Sequence, residues 1–561
     1  MRNGGDVPMT INPECPPSSI RSISDVAARL GLPERMIEPY GRDKAKISLD
    51  AMSRFDPSAT RRSRLVAVTA MSPTPHGEGK TVTAIGLVDG LNRLGRVAIG
   101  TLRQPSLGPI FGLKGGATGG GLAQIVPGDD INLHFTGDFH AVAAAQNLLA
   151  AMVDNHIFHG NQLRLDPAQI HCNRTMDNED RALRHVMVGL GQAHDAGVRE
   201  SSFDIVAACE TMAVLAQATS LADLKRRLAH MVVGRSREGH CVTAAQLKAE
   251  NAMAALLRLA IQPNLVQTLE GNPVLVHTGP FANVAPGNSS VVADRLALGH
   301  ADYVVTEAGF GTDCGFEKLI DVKCRSAGYQ PAAAVLVVTL RALRWHGSKG
   351  EAEDNDGEAV RLGCANMAKH ADNVAAFGCP CIIALNVFDS DAEEDLVVVE
   401  REAARLGIPI VRSYAHSRGS LGTLQLAEAV VDAAAAATLA KPLYPLDWDL
   451  RRKIEIVATR IYGADGVTFS DEANRELDRY EAHGFADLPV CIAKTPSSLS
   501  HDAKRRNRPT GFTLPIEEAR LYAGAGYVMP LAGPILTMPG LPRVPRAESI
   551  FVDDEGHIRG L

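Results

Sequence analysis

Leu65-Val66-Ala67-Val68-Thr69-Ala70, then Thr74-Pro75-His76-Gly77-Glu78-Gly79-Lys80-Thr81, then a run carrying Val82, Ile85, Leu87, Val88, Leu91 and Leu94 before Gly95: this stretch decides the fold. The first six residues are apolar, rich in β-branched side chains and without helical periodicity, so they read as a buried strand. The run from Val82 repeats at helical spacing and stops at a glycine, which reads as an amphipathic helix. A Gly-rich turn ending in Lys-Thr between strand and helix is a phosphate-binding arrangement. Small residues let backbone N–H groups approach an anion, the helix N-terminus adds positive potential, and Lys80 supplies a point charge. Thr81 can place its hydroxyl on a nucleotide-bound Mg²⁺. The position five before Gly79 is Thr74, where the usual phosphate-loop pattern has Gly, so a Gly-rich turn with an exposed Lys stays open as the alternative.

Outward from this stretch, short apolar runs at 203–208, 273–277, 303–306, 334–340 and 381–385 alternate with helical patterns at 142–153, 212–228 and 247–261. Strands alternating with helices mean parallel βαβ units, and the expected fold is an α/β, doubly wound, mostly parallel sheet. Ligands of such sheets sit at the carboxyl ends of the strands. The Lys80 loop, Glu307-Ala308-Gly309-Phe310-Gly311 and Asn386-Val387-Phe388 all follow expected strands. The expected organisation is a disordered 1–22, a nucleotide-binding core over 23–440 with an inserted Gly-rich region at 102–140, and a smaller C-terminal α+β domain over 441–561. The last boundary is marked by Lys441-Pro442-Leu443-Tyr444-Pro445.

The chain has 561 residues, with 57 Lys plus Arg against 64 Asp plus Glu and a net charge of −7. Mild acidity without a basic stripe argues against a nucleic-acid partner. The ten cysteines are scattered and lack paired spacing, which reads as reduced thiols of a cytoplasmic protein. No apolar run approaches membrane length, and residues 1–20 resemble neither a signal peptide nor a transit peptide. His156 and His159 have helical spacing, but no further ligand completes a metal site.

Three further segments carry a resemblance. They are Leu102-Arg103-Gln104-Pro105-Ser106-Leu107-Gly108-Pro109, Gly112-Leu113-Lys114-Gly115-Gly116-Ala117-Thr118-Gly119-Gly120-Gly121-Leu122-Ala123-Gln124, and Asn132-Leu133-His134-Phe135-Thr136-Gly137-Asp138-Phe139-His140. At these residues the chain resembles the formate–tetrahydrofolate ligases, as it does at Tyr40-Gly41…Lys44-Ala45-Lys46 and at Met538-Pro539-Gly540-Leu541-Pro542. It departs from that family's pattern at Thr118, Leu122 and Pro286 and around Tyr414, so its phosphate end is better kept than its adenine loop and folate surroundings.

The resemblance implies ATP-dependent ligation of formate to tetrahydrofolate through formyl phosphate, giving 10-formyltetrahydrofolate, ADP and phosphate. It assigns ATP to Thr74, Pro75, His76, Gly77, Glu78, Gly79, Lys80 and Thr81, with Lys80 and Arg103 catalytic. Folate falls to Phe310, Phe388 and Tyr414, the last standing where the family usually has Trp before a loop that contacts adenine. Nucleotide-bound Mg²⁺ falls to Thr81 and Asp138. Lys44 and Lys46 are further candidates for the phosphates. A homotetramer and a monovalent cation are also implied. Two other readings are a P-loop ATPase switch and a catalytically weakened homologue that binds nucleotide or folate.

Overall fold

The computed structural model describes residues 20–55, 63–75, 77–191, 197–348, 357–435 and 439–561. His76 and the first 19 residues, most of the segment expected to be disordered, lie outside the described residues.

The Arg64–Ala70 strand lies inside a 12-stranded sheet. Along the sheet, Pro273–Val276, Ala98–Leu102, Tyr303–Gly311, Arg64–Ala70, Pro331–Thr339, Cys381–Asn386 and Ile410–Ser413 are neighbours in that order, all parallel. Asn264–Thr268, Ala45–Ile47 and Ile37–Pro39 extend the Pro273 edge in antiparallel fashion. After Arg64–Ala70 the chain crosses through the Lys80–Arg93 helix to Ala98–Leu102 on one side. Pro331–Thr339, Cys381–Asn386 and Ile410–Ser413 are later laid down outward on the other side. The connections therefore diverge at the carboxyl end of Arg64–Ala70, where a doubly wound sheet opens a crevice. Every residue of Pro331–Thr339 is buried, as expected for a central parallel strand covered on both faces.

The Lys80–Arg93 helix seats against the sheet through small residues. A Cβ at Gly86 would meet the Ala415 Cβ at 2.7 Å, and one at Gly90 would meet the Thr423 Oγ1 at 2.7 Å. The backbone of the phosphate-loop helix thus packs directly on the Ala415 and Thr423 side chains of the segment after Ile410–Ser413, and the Thr423 hydroxyl donates to the Gly86 carbonyl.

Local expectations differ from the structure at three places. The 212–228 run is two helices, Glu210–Gln217 and Leu221–His230. The break comes where the Ser220 side chain accepts from the Asp223 N–H and Asp223 accepts from the Thr219 N–H, a capping box that starts a new helix. The 247–261 run keeps only Glu250–Leu256 as α-helix, because Lys248 takes a left-handed conformation at φ +58° just before it. The 203–208 strand stops at Ile205 and closes in a single 3₁₀ turn, Val206–Ala208.

Beyond residue 441 the chain forms the helices Leu450–Val457 and Asp471–Ala482, a parallel pair Gly466–Phe469 with Thr513–Ile516, and a hairpin of Glu518–Tyr522 with Tyr527–Leu531. Its buried Ile454, Tyr462, Leu477 and Leu514 join the core that also holds Leu65, Ile99 and Tyr329. The C-terminal unit therefore shares apolar packing with the sheet it follows. All cysteines among the described residues are free. No described helix is long and apolar enough to cross a membrane.

Candidate active site

The strand that ends at Ala70 leads into a loop that Glu78 closes on itself. Its carboxylate accepts from the Thr74 N–H at 2.6 Å and from the Lys80 Nζ at 3.1 Å. The Asn386 amide donates to the Glu78 carbonyl at 3.2 Å, and the Thr83 hydroxyl, which donates to the Gly79 carbonyl at 3.0 Å, lies 3.1 Å from the Asn386 Oδ1. Gly77 and Gly79 lie in the left-handed region at φ +74° and +75°, and a Cβ at Gly79 would meet the Asn386 Nδ2 at 2.9 Å. These glycines let the loop turn directly into the helix whose first residue is Lys80. The free amides of a helix N-terminus and the adjacent ammonium together can receive an anion.

The Thr81 hydroxyl donates to the Glu307 carboxylate at 3.1 Å. Glu307 comes from Tyr303–Gly311, the neighbouring parallel strand, and was quoted in the sequence without a role. Asp138 is placed differently from the expectation that it holds a metal. Both its oxygens lie 2.8 and 2.9 Å from the buried Lys46 Nζ, and Asn264 donates to it at 2.7 Å. Lys46 is likewise used up in this buried pair, and Lys44 bonds Asp130, so neither lysine is free for phosphates. A carboxylate that already accepts three hydrogen bonds from two donor groups, one of them an ammonium, has little left for a cation, whereas Glu307 stands beside the Thr81 hydroxyl.

Arg103 follows the Ala98–Leu102 strand and donates through Nη1 to the Pro280 carbonyl at 3.3 Å. Its buried Nε has no partner among the described residues. Gly309 makes room for it, since a Cβ there would stand 3.1 Å from the Arg103 Nη1 and 2.8 Å from the Ala282 Cβ. An orphaned guanidinium donor suits a small anion. The next residues are held by Asp177, which accepts from the Ser106 hydroxyl at 2.6 Å and from the Leu107 N–H at 3.0 Å.

The Tyr303–Gly311 strand carries a register shift between Glu307 and Gly311 against Arg64–Ala70. Within that bulge Phe310 takes φ +59°, a conformation an aromatic residue rarely adopts. Strain of this kind persists only where the surroundings impose it, and it gathers at ligand sites. The Phe310 ring is half-buried, with the Lys114 Nζ 5.2 Å from its centroid. Phe388, after Cys381–Asn386, carries the Arg341 guanidinium 4.3 Å from its ring, and Tyr414, after Ile410–Ser413, carries that of Arg418 at 4.5 Å. Tyr414 opens a loop that returns through its N–H to the Gly422 carbonyl at 3.0 Å. Lys80, Arg103, Phe310, Phe388 and Tyr414 thus all lie at carboxyl ends of parallel strands of one sheet.

Lys114, within the Gly-rich segment, also reaches this site. Its side chain is exposed, yet surrounding protein and then the Arg103 and Lys80 charges bring its pKa down to about 8. Behind the loop, Ser72 contacts the Nε2 of His370 at 3.0 Å, and the other ring nitrogen lies 2.6 Å from the Thr312 hydroxyl. Burial pushes the His370 pKa down to about 3, so this ring is a neutral structural link. A cavity of about 780 Å³ lies elsewhere, walled by residues such as His171, Arg235, Glu476 and Arg520, and takes none of the residues above. Its Arg235 is bonded to Glu476 and its Arg520 to Glu518.

The family model described as formate–tetrahydrofolate ligase matches residues 13–561. A protein of that name from Roseiflexus castenholzii is 50% identical over 554 residues, covering 97% of this chain and 98% of its own. One from Acidiphilium cryptum is 51% identical over 554 residues, with the same coverage. One from Paracoccus denitrificans is 50% identical over 541 residues, covering 96% of this chain and 97% of its own. The chain belongs to the formate–tetrahydrofolate ligase family.

Proposed function

We propose that this protein ligates formate to tetrahydrofolate at the expense of ATP, through formyl phosphate. The observation that carries this reading is the meeting of the Lys80 loop, the orphaned Arg103 donor and the strained Phe310 at neighbouring strand ends in a member of this family. Formate is a poor electrophile with no good leaving group. Its oxygen attacks the γ-phosphorus of ATP, the bond to the ADP oxygen breaks, and the formyl carbon now carries a phosphate leaving group. The tetrahydrofolate amine then attacks that carbon, the carbon–oxygen bond breaks toward phosphate, and the amine proton leaves to solvent.

Phosphoryl transfer needs positioning and charge neutralisation more than covalent help. Residues 74–81, His76 among them, are assigned to the polyphosphate, with Lys80 neutralising transferred charge. Thr81 and Glu307 would hold nucleotide-bound magnesium, which supplies further neutralisation when present. Arg103 holds the intermediate through paired donors. Phe310 and Phe388 offer faces to the flat pterin, with Tyr414 at the loop beyond. The 23–440 core carries every one of these residues, and 441–561 serves as a supporting unit. A homotetramer and a monovalent cation belong to the same proposal and rest on the resemblance alone; a cytoplasmic setting belongs to it too and rests on the scattered, unpaired cysteines.

ADP release measured with ATP, formate and tetrahydrofolate, each omitted in turn, tests the reading. The expected result is release that needs all three for sustained turnover. Release indifferent to formate would point to an ATPase switch, and binding without release to a weakened homologue; either overturns the proposal.

A further inference from the structure

Lys80, Arg103 and Lys114 stand within electrostatic reach of one another, and two of these three are already engaged. Lys80 is paired with Glu78, and Arg103 is tied to the Pro280 carbonyl. The ammonium of the third, Lys114, has no hydrogen-bond or ion-pair partner among the described residues and rests 5.2 Å from the Phe310 ring centroid. Such a contact from an exposed lysine is worth only about 0.5–1 kcal/mol, so it is easily exchanged for a better one.

Lys114 belongs to a loop built to bring it there. At Gly112 a Cβ would come within 2.4 Å of the Glu179 Oε2, so the backbone is pressed against that carboxylate. Gly115, one residue beyond Lys114, is left-handed at φ +72°, with the Arg546 Nε 3.3 Å from where its Cβ would stand. The charged groups that act on Lys114 are Arg103 and Lys80, which disfavour its ammonium, and Glu78 and Glu307, which favour it; Glu179 feels its charge in turn. The ammonium thus rests over the ring assigned to the pterin and within electrostatic reach of the cations assigned to phosphate.

We propose that Lys114 is a further catalytic residue, whose ammonium leaves the Phe310 ring as the pterin stacks there and neutralises the phosphate oxygen expelled during formyl transfer. This rests on the ligase reading above and adds to it a division of labour. When the amine lone pair attacks the formyl carbon, the carbon–oxygen bond pair passes to the phosphate oxygen, and negative charge grows there. Lys80 serves the earlier phosphoryl step, Arg103 holds the intermediate that links the two, and Lys114 serves this later one. Only the ammonium form can do so. With its pKa near 8, the charged fraction falls as pH rises through that value, giving the formyl-transfer rate an alkaline limb.

The test compares Lys114→Met and Lys114→Arg with the native enzyme in two assays. The first is ATP formation from ADP and synthetic formyl phosphate without folate, which reads the phosphoryl step in reverse. The second is the complete reaction, followed from pH 6.5 to 9.5. Lys114→Met is expected to keep the first rate within about threefold and to lose on the order of 10²-fold in the second, the scale of losing one donor aimed at developing charge. Lys114→Arg, charged throughout this range, is expected to recover most of the rate and to lose the alkaline limb. The proposal is overturned if Lys114→Met matches native turnover, if both assays fall together, or if the limb survives in Lys114→Arg. Should the native enzyme release no ADP in response to formate, the ligase reading itself fails, a result visible before any variant is made.

Discussion

Arg103 and Lys80 are both cations at strand ends, yet their surroundings give them different duties. Lys80 opens its helix and is held by Glu78 inside the loop, so it meets phosphate in ground and transition states alike. Lys80→Ala is expected to lose ATP binding and turnover together, which calorimetry and steady-state rates will show; near-normal values for both contradict the loop assignment. Arg103 keeps an unpartnered Nε and stands beyond the loop. Arg103→Ala is expected to bind ATP almost normally and turn over about 10²–10³-fold more slowly, with Arg103→Lys recovering only part because a point charge cannot replace a planar fork. A defect that appears wholly as weak ATP binding contradicts this role. Lys80 was legible because its signal is local: a strand, a Gly-rich turn and a helix within one stretch. Glu307 as the partner of Thr81 was not, since the two residues are separated by 226 positions and meet only when two strands become neighbours.

The Tyr303–Gly311 strand shows what an element adds to its residues. A run of aromatic and β-branched residues at 303–306 announces the strand, but nothing in the pattern announces the bulge that follows. Glu307, the last residue in register before the bulge, meets Thr81; within the bulge Gly309 leaves room for Arg103 and Phe310 takes a left-handed conformation. Register shifts are set by what packs against both strands, which a single segment does not encode. The same holds for the broken 212–228 helix, although there the Ser220-x-x-Asp223 cap was in plain view. At this scale the prediction concerns the aromatic residues that follow the strands. Phe310→Ala and Phe388→Ala each remove a stacking face worth roughly 1–3 kcal/mol, by analogy with base–aromatic stacking. The Michaelis constant for tetrahydrofolate is expected to rise while that for ATP holds. Equal changes in both constants, or loss of fold, would make these rings packing residues instead.

At the scale of the molecule, the C-terminal unit is tied to the site by one buried ion pair. Lys494 lies 2.5 Å from Asp313, with neither side chain exposed, and also donates to the Thr495 and Ser498 carbonyls at 3.0 and 2.5 Å. Asp313 follows the bulged strand directly, next to Thr312 and its contact with His370. Burial alone would raise the Asp313 pKa, but the Lys494 ammonium more than offsets this and holds it below the usual carboxylate range. A lowered carboxylate contributes stability above its unfolded pKa and loses it as pH falls through the folded value. Lys494→Met leaves that carboxylate buried and alone, at a cost of about 3–5 kcal/mol. Its pKa then rises, so the sign reverses and the variant is expected to lose more stability at pH 8 than at pH 5 in urea unfolding. Adding Asp313→Leu is expected to recover much of the loss; a single variant as stable as the native chain would show that the pair is not a strut. None of this was legible, because a Lys and an Asp so far apart in sequence look like surface residues until the C-terminal unit is seen to share the core of the sheet.

The central claim is that formate is activated as formyl phosphate before its carbon reaches the amine. Formate labelled with ¹⁸O in both oxygens tests it most directly, by mass spectrometry of the inorganic phosphate formed in the complete reaction. The account predicts one ¹⁸O per phosphate released, because the attacking formate oxygen stays on phosphorus when the carbon–oxygen bond breaks. Unlabelled phosphate formed at the rate of ligation would contradict it.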